Sequence, residues 1–210
     1  MGTGVLKVIS ILGLFCLVLA SLGVSQTSEK AYLKQIKKHR KHIHWEFKNP
    51  ETSPLREEAK QFHGLDYYAP DPAYKVEATL TLTPEAKPFY IPTSNPNRSK
   101  QFVSYATLSF TLKGKPWQLT VYRNLELAGI KKYEKLLFLP FLDETSGFDT
   151  YGGGRYMDLE IPDGDKITLD FNLCYNPYCA YSGGWSCPIP PPENFLELKL
   201  EAGVKKYQEH

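Results

Sequence analysis

Two hydrophobic periods divide this chain. In residues 29–48 the apolar positions Tyr32, Ile36, Ile43 and Phe47 recur at helical spacing behind Ser28, an N-cap residue, and predict a helix with one apolar stripe. Asn49-Pro50 stops it. Ser53-Pro54 opens a second helical piece whose Leu55, Ala59 and Phe62 make a small apolar face, and Gly64 ends it. Beyond Gly64 the period falls to two. Val76, Ala78, Leu80 and Leu82 alternate with polar residues, residues 89–92 form a short extended piece, and residues 93–100 are a polar loop. Ala106, Leu108, Phe110 and Leu112 define another strand, and Lys113-Gly114-Lys115-Pro116 turns the chain into a partner strand at residues 117–123.

After a loop with a helical turn at residues 124–135, residues 136–142 are almost wholly apolar and predict a strand covered on both faces. Pro140 there argues for an edge or a bulge. Met157, Leu159 and Ile161 face away from Tyr156, Asp158 and Glu160. Residues 166–175 predict a strand with Ile167, Leu169, Phe171, Leu173 and Tyr175 on one face and Thr168, Asp170, Asn172 and Cys174 on the other; Leu196, Leu198, Leu200 and Ala202 alternate in a last strand. Seven or eight short strands separated by turn signals predict a mainly β fold, an antiparallel β sandwich or barrel-like sheet with an N-terminal helical arm.

The N-terminus changes the compartment expected for this fold. Lys7, an apolar run from Val8 to Ala20 and small residues through Ser25 have the order of a secretory signal peptide, which divides the chain into signal 1–25, helical arm 26–65 and β-rich domain 66–210. The product is an exported protein, periplasmic or secreted, with no membrane span after signal removal. It keeps three cysteines, Cys174, Cys179 and Cys187. Charge argues against a nucleic-acid partner: residues 27–65 carry nine Lys or Arg against five Asp or Glu, whereas residues 66–210 carry fifteen against eighteen. Lys37, Lys38, Arg40 and Lys41, with His39, His42 and His44, fit a solvated helix face, and the histidine spacing matches no helical i, i+4 metal pair.

Residues 64–209 contain no histidine, so triads built on Ser-His or Cys-His need a histidine from the arm, a compact His-based zinc site has no ligands there, and no P-loop or dinucleotide fingerprint surrounds the triple glycine. Asp143 and Glu144 end an apolar strand, and Arg155 and Asp158 follow a triple glycine. Paired strands would bring these four catalytic candidates to one end of the sheet, as a carboxylate and arginine pocket or as a buried ion pair pinning a long hairpin. Asp170, Asn172, Tyr175, Asn176, Gly153, Glu193 and Asn194 are the ligand-binding candidates. Gly152 to Gly154 either admit a ligand close to backbone amides or supply a turn. Cys179 and Cys187 enclose a loop that a disulfide would close; a reactive thiol, or pairing through Cys174, is the rival.

Five motifs stand together: Leu139-Pro-Phe-Leu-Asp-Glu-Thr-Ser-Gly, Thr150-Tyr-Gly-Gly-Gly-Arg-Tyr, Leu169-Asp-Phe-Asn, Tyr175-Asn-Pro-Tyr-Cys-Ala-Tyr and Cys187-Pro-Ile-Pro-Pro-Pro-Glu-Asn. In them the chain resembles the bacterial and archaeal family catalogued as domain of unknown function 1684. The resemblance implies Cys179 and Cys187 as a pair and implies no activity. Two functions fit these observations. One is a pocket for a small-molecule ligand, with carboxylate acid and base groups for hydrolysis; the other is a non-catalytic envelope or partner-binding module.

Overall fold

The computed structural model describes residues 28–207. The expected signal peptide lies outside the described residues. Contacts divide the chain into two units, Met1–Lys41 and His42–His210. Residues 28–41 are helical in the first, and residues 42–48 continue as helix into the second. There Phe47, Leu55, Ala59 and Phe62 are buried in a small cluster with Tyr181. The expected second α-helix is a 3-10 helix, Arg56–Gln61, entered through Arg56 at φ 56. Its predicted apolar face is nonetheless the buried one.

The rest of the second unit is a curled, half-barrel sheet of β1 (Lys75–Leu82), β2 (Phe89–Pro92), β3 (Ser99–Leu112), β4 (Lys115–Asn124), β5 (Leu136–Asp143), β6 (Arg155–Glu160), β7 (Lys166–Asp170) and β8 (Phe195–Leu196). The strand order is β6-β5-β4-β3-β1-β7, with β2 on β3 and β8 on β5. Pairing is antiparallel except between β5 and β8. A mainly β, barrel-like sheet with an N-terminal helix is what the periodicity predicts. One face buries the main core, in which Ala78, Leu108, Val121, Leu139 and Leu169 are inaccessible to solvent.

The other face is apolar too, because of one extra residue. Ser104 pairs with Tyr122 and Ala106 with Val121, so Tyr105 is a β-bulge. The bulge moves Phe102 away from the face of Ala106 and Leu108. Phe102 joins Ile91 and Tyr122 in a second buried cluster, with Phe89 and Phe138 against it. Strand β5 is therefore covered on both sides.

Proline in β5 does not mark an edge. Asn194 supplies the bonds that Pro140 cannot. Its Oδ1 accepts from the Thr120 N–H at 2.7 Å, and its Nδ2 donates to the carbonyls of Thr120 and Pro140 at 2.7 Å each. A side-chain amide thus stands between β4 and β5, where the only ladder pair is Tyr122 with Phe138.

Two expected strands are shorter than their alternation suggests. Strand β7 ends at Asp170, whose Oδ1 accepts from the Asn172 N–H and starts a 3-10 turn, so Cys174 is buried against the core and not on a polar face. Only Phe195–Leu196 of the last strand pairs; Leu200 and Ala202 are buried without a strand partner. The sheet closes where β6 meets the chain after that turn: Tyr156 and Tyr175 exchange backbone hydrogen bonds of 2.8 and 3.0 Å.

Candidate functional site

The sequence-predicted residues separate onto two faces. Side chains alternate along β5 and β6, so Asp143 and Arg155 point to the core face while Asp158 points with Phe138 to the other. Asp143 is 1% exposed and Arg155 0%. Their ion pair measures 2.8 Å. The guanidinium also donates to the carbonyls of Leu200 at 2.9 Å, of Ala202, and of Val204 at 3.4 Å. Asp143 Oδ1 accepts from the Thr145 N–H, the Thr145 hydroxyl and the Leu200 N–H.

Arg155 thus does for residues 200–204 what a neighbouring strand would do. Burial opposes its charge, while Cys174 and Asp143 beside it more than compensate, so its pKa stands above the ordinary arginine value. The Asp143 carboxylate and both terminal nitrogens of Arg155 are engaged by the protein's own groups, and only the buried Arg155 Nε has no hydrogen-bond partner among the described residues, so the pair offers a ligand little. Glu144 is exposed, with its N–H bonded to the Leu198 carbonyl.

The triple glycine serves the turn. Gly154 has φ +84, and a Cβ there would lie 2.6 Å from the Phe141 carbonyl and 2.7 Å from Pro190. Gly153 is exposed beneath the Tyr151 ring. Asn172 exchanges bonds with the Asp71 backbone, 2.8 Å from Nδ2 to the carbonyl and 3.0 Å from the N–H to Oδ1, and Asp170 orients it. Asn176 Nδ2 donates to the Lys205 carbonyl at 2.9 Å. Together with Asn194, these amides tie distant segments of chain.

Three candidates meet on the second face. Asp158 is exposed, yet burial of its carboxyl by surrounding protein pushes its pKa upward, against the pull of the nearby Tyr175 hydroxyl. A carboxylate that solvent reaches, but that protein crowds on its other sides, is suited to exchanging a proton. Burial and Asp158 together hold the Tyr175 hydroxyl well above its ordinary pKa, so it remains a donor. Glu193, also exposed, accepts from the buried Tyr122 hydroxyl at 2.8 Å.

Between them runs a row of aromatic rings. Asp158 lies opposite Phe138, and Phe138 opposite Tyr122. Two strand spacings, about 10 Å, therefore separate the Cα atoms of Asp158 and Tyr122. Phe138 is half-buried, its ring 4.7 Å from Tyr156 and 5.6 Å from Phe102, and Tyr156 is 5.9 Å from Tyr175. Burial raises the Tyr156 hydroxyl as well, and it donates to the Pro188 carbonyl, which fixes the proline segment leading to Glu193. The Tyr122 hydroxyl is spent on Glu193 and the Tyr156 hydroxyl on Pro188. The face therefore sets exposed carboxylate acceptors beside rings of which only Phe138 and Tyr175 are half-buried and the rest are core, a complement to ligands that bring donors.

The profile of the family described as "Protein of unknown function (DUF1684)" matches residues 60–205. The chain belongs to this family. No curated protein matches it. Among solved structures, the chain is similar to the solution structure of an uncharacterised protein of Haloarcula marismortui, at 38% identity and TM-score 0.65, over 87% of this chain and 98% of that one. Family membership bears out the resemblance read from the five motifs and assigns no chemistry.

Tyr122, Phe138 and Tyr156 are absent from the sequence-predicted site. The available signal was the two-sided apolar strand β5, which requires aromatic cover on both faces.

Cys179 and Cys187 lie at disulfide-bonding distance, with Cα atoms 6.3 Å apart, and the free cysteine Cys174 is buried. Among the described residues no group of three or more His, Cys, Asp or Glu is arranged to hold a metal ion, and no helix is long and apolar enough to cross a membrane.

Proposed function

We propose that this protein binds a small molecule rich in hydrogen-bond donors across Asp158 and Glu193, with Asp158 as its proton-exchanging group. Hydrolysis is the reaction class that suits this set, with Asp158 as general acid or base and Tyr175 positioning it. The observation that carries the reading is the placement of Asp158, an exposed carboxylate opposite Phe138 on the second face with the Tyr175 hydroxyl near it, and its carboxyl is shifted toward the protonated form by burial. Asp143, Glu144 and Arg155 act on this site only through the fold. Export belongs to the same reading, supported by the order of charged, apolar and small residues over 1–25 and by the Cys179 and Cys187 pair.

The test is a thermal-shift and turnover screen against polyols, primary amines and chromogenic esters and glycosides, run on the wild type, Asp158→Asn and Glu193→Gln. A turnover hit should fall about 10²- to 10⁴-fold in Asp158→Asn while circular dichroism is unchanged. Hits indifferent to both substitutions would sink the proposal. A non-catalytic partner-binding module is the second reading, favoured by the burial of the Asp143 and Arg155 ion pair within the protein's own hydrogen bonds. It expects a blank screen and retention of a macromolecular partner by both variants.

A further inference from the structure

The loop between Cys179 and Cys187 holds three regions together. Ser182 Oγ donates to the Pro54 carbonyl at 2.6 Å, Trp185 Nε1 donates to Ser182 Oγ at 2.9 Å, and the Arg56 guanidinium lies 4.9 Å over the Trp185 ring. Tyr181 packs edge-on against Phe47 at 4.8 Å. These contacts tether residues 47–56. Ser94 tethers the end of β2, since its N–H donates to the Cys187 carbonyl at 2.9 Å and its Oγ accepts from the Cys187 N–H at 3.1 Å. The third region is the aromatic face: Tyr175 precedes the loop and Glu193 follows it.

Both cysteines are half-buried as residues, and each sulfur has a hydrogen-bond donor beside it. The Cys179 N–H donates to Cys187 Sγ at 3.2 Å, and Ser94 Oγ lies 2.9 Å from Cys179 Sγ. The Ser94 hydroxyl proton also has the Trp185 carbonyl within reach, at 3.3 Å. A disulfide sulfur is a poor acceptor and a thiolate a strong one, so breaking the bond gives this proton a better partner. Donors that favour the thiolate stabilise the reduced form and speed departure of the leaving sulfur.

We propose that Cys179 and Cys187 form an exchangeable disulfide, reduced and re-formed by a dithiol, that locks and releases the loop joining residues 47–56, the end of β2 and the Tyr175 to Glu193 segment. One thiolate of the dithiol attacks a protein sulfur, forming a mixed disulfide and releasing the other protein sulfur as a thiolate. The second thiol of the dithiol then displaces the remaining protein sulfur. The dithiol leaves as its own disulfide, and its two electrons and two protons end on Cys179 and Cys187. Cys174 takes no part, being buried against the core. The inference stands whether or not the aromatic face binds a ligand, because the redox state is read directly.

The test equilibrates the folded full chain carrying Cys16→Ser, so that Cys174, Cys179 and Cys187 are its cysteines, in graded ratios of reduced to oxidised dithiothreitol, alkylates it without denaturant and counts adducts by intact mass. The expected result is two adducts, on Cys179 and Cys187, with Cys174 unmodified. Hydrogen exchange should quicken over residues 53–56, 92–94 and 175–193 and stay unchanged in β3 and β4. Ser94→Ala should move the equilibrium about tenfold toward the disulfide, the worth of one hydrogen bond to a charged sulfur. The double variant Cys179→Ser/Cys187→Ser should reproduce the exchange pattern of the reduced protein while remaining folded. Reduction that requires denaturant, three adducts appearing together, or a double variant as protected as the oxidised chain would each overturn the proposal.

Discussion

Asp143 and Asp158 sit on neighbouring strands of one hairpin and have opposite surroundings. Asp143 meets a guanidinium, two backbone N–H groups and a hydroxyl, with no solvent at its side chain. Asp158 meets solvent and the Tyr175 hydroxyl. The difference teaches that being charged and close to an arginine does not make a residue a site. A carboxylate whose acceptor positions are filled by its own chain has been used by folding, whereas one left partly unfilled is available to a ligand.

The sharpest way to break this comparison is Arg155→Ala. It leaves the Asp143 carboxylate buried without its cation and frees the carbonyls of residues 200–204, at a cost of about 3–5 kcal/mol. Urea denaturation should show a loss of that size; a loss below about 1 kcal/mol, the range of a surface ion pair, would mean that the pair is not structural. Next in size is Asn194→Ala. It strips the Thr120 N–H and the Pro140 carbonyl of a buried partner and should cost about 2–3 kcal/mol. Hydrogen exchange at Thr120 should rise with it, and an unchanged rate there would remove the side-chain bridge from the account.

The smallest expected effect is Asp158→Asn, and its sign is the informative part. The folded-state pKa of Asp158 is raised, so between the unfolded pKa of about 3.9 and the folded value the native state holds more protons than the unfolded state, and stability falls as pH rises through that window. Replacing the carboxylate with an amide removes this penalty. Melting temperature should therefore rise at pH 8 relative to wild type, with no gain at pH 3. A loss at pH 8 would place Asp158 with Asp143 as a structural group.

Much of the fold was legible because period-two alternation is a direct record of which face is buried. The hairpin of β3 and β4, strand β2 and the loop at residues 124–135 follow from it. What alternation cannot record is an inserted residue. Tyr105 looks like any strand tyrosine, yet the bulge there separates two cores. Nor can it record that an alternating segment is completed by a side chain: residues 196–202 have a strand's pattern, and Arg155 and Asp143 take up its backbone groups.

The candidate site was legible as a set of residues and not as an arrangement. Asp158, Tyr175 and Glu193 stood among the candidates, but motif proximity grouped Asp158 with Arg155, whose side chain lies on the opposite face. Asn194 and Pro140 show the same limit in reverse, since 54 residues separate an amide from the proline whose missing N–H it makes good. Nothing local to either position announces the partnership.

The reach of Arg155 also sets an order of events during synthesis. Its carbonyl partners are Leu200, Ala202 and Val204, so a nascent chain that has emerged only through β6 has Asp143 to pair with Arg155 but none of the carbonyls that let the guanidinium be buried. The hairpin carrying Asp143 and Arg155 must wait for some forty-five further residues before it can close over its core.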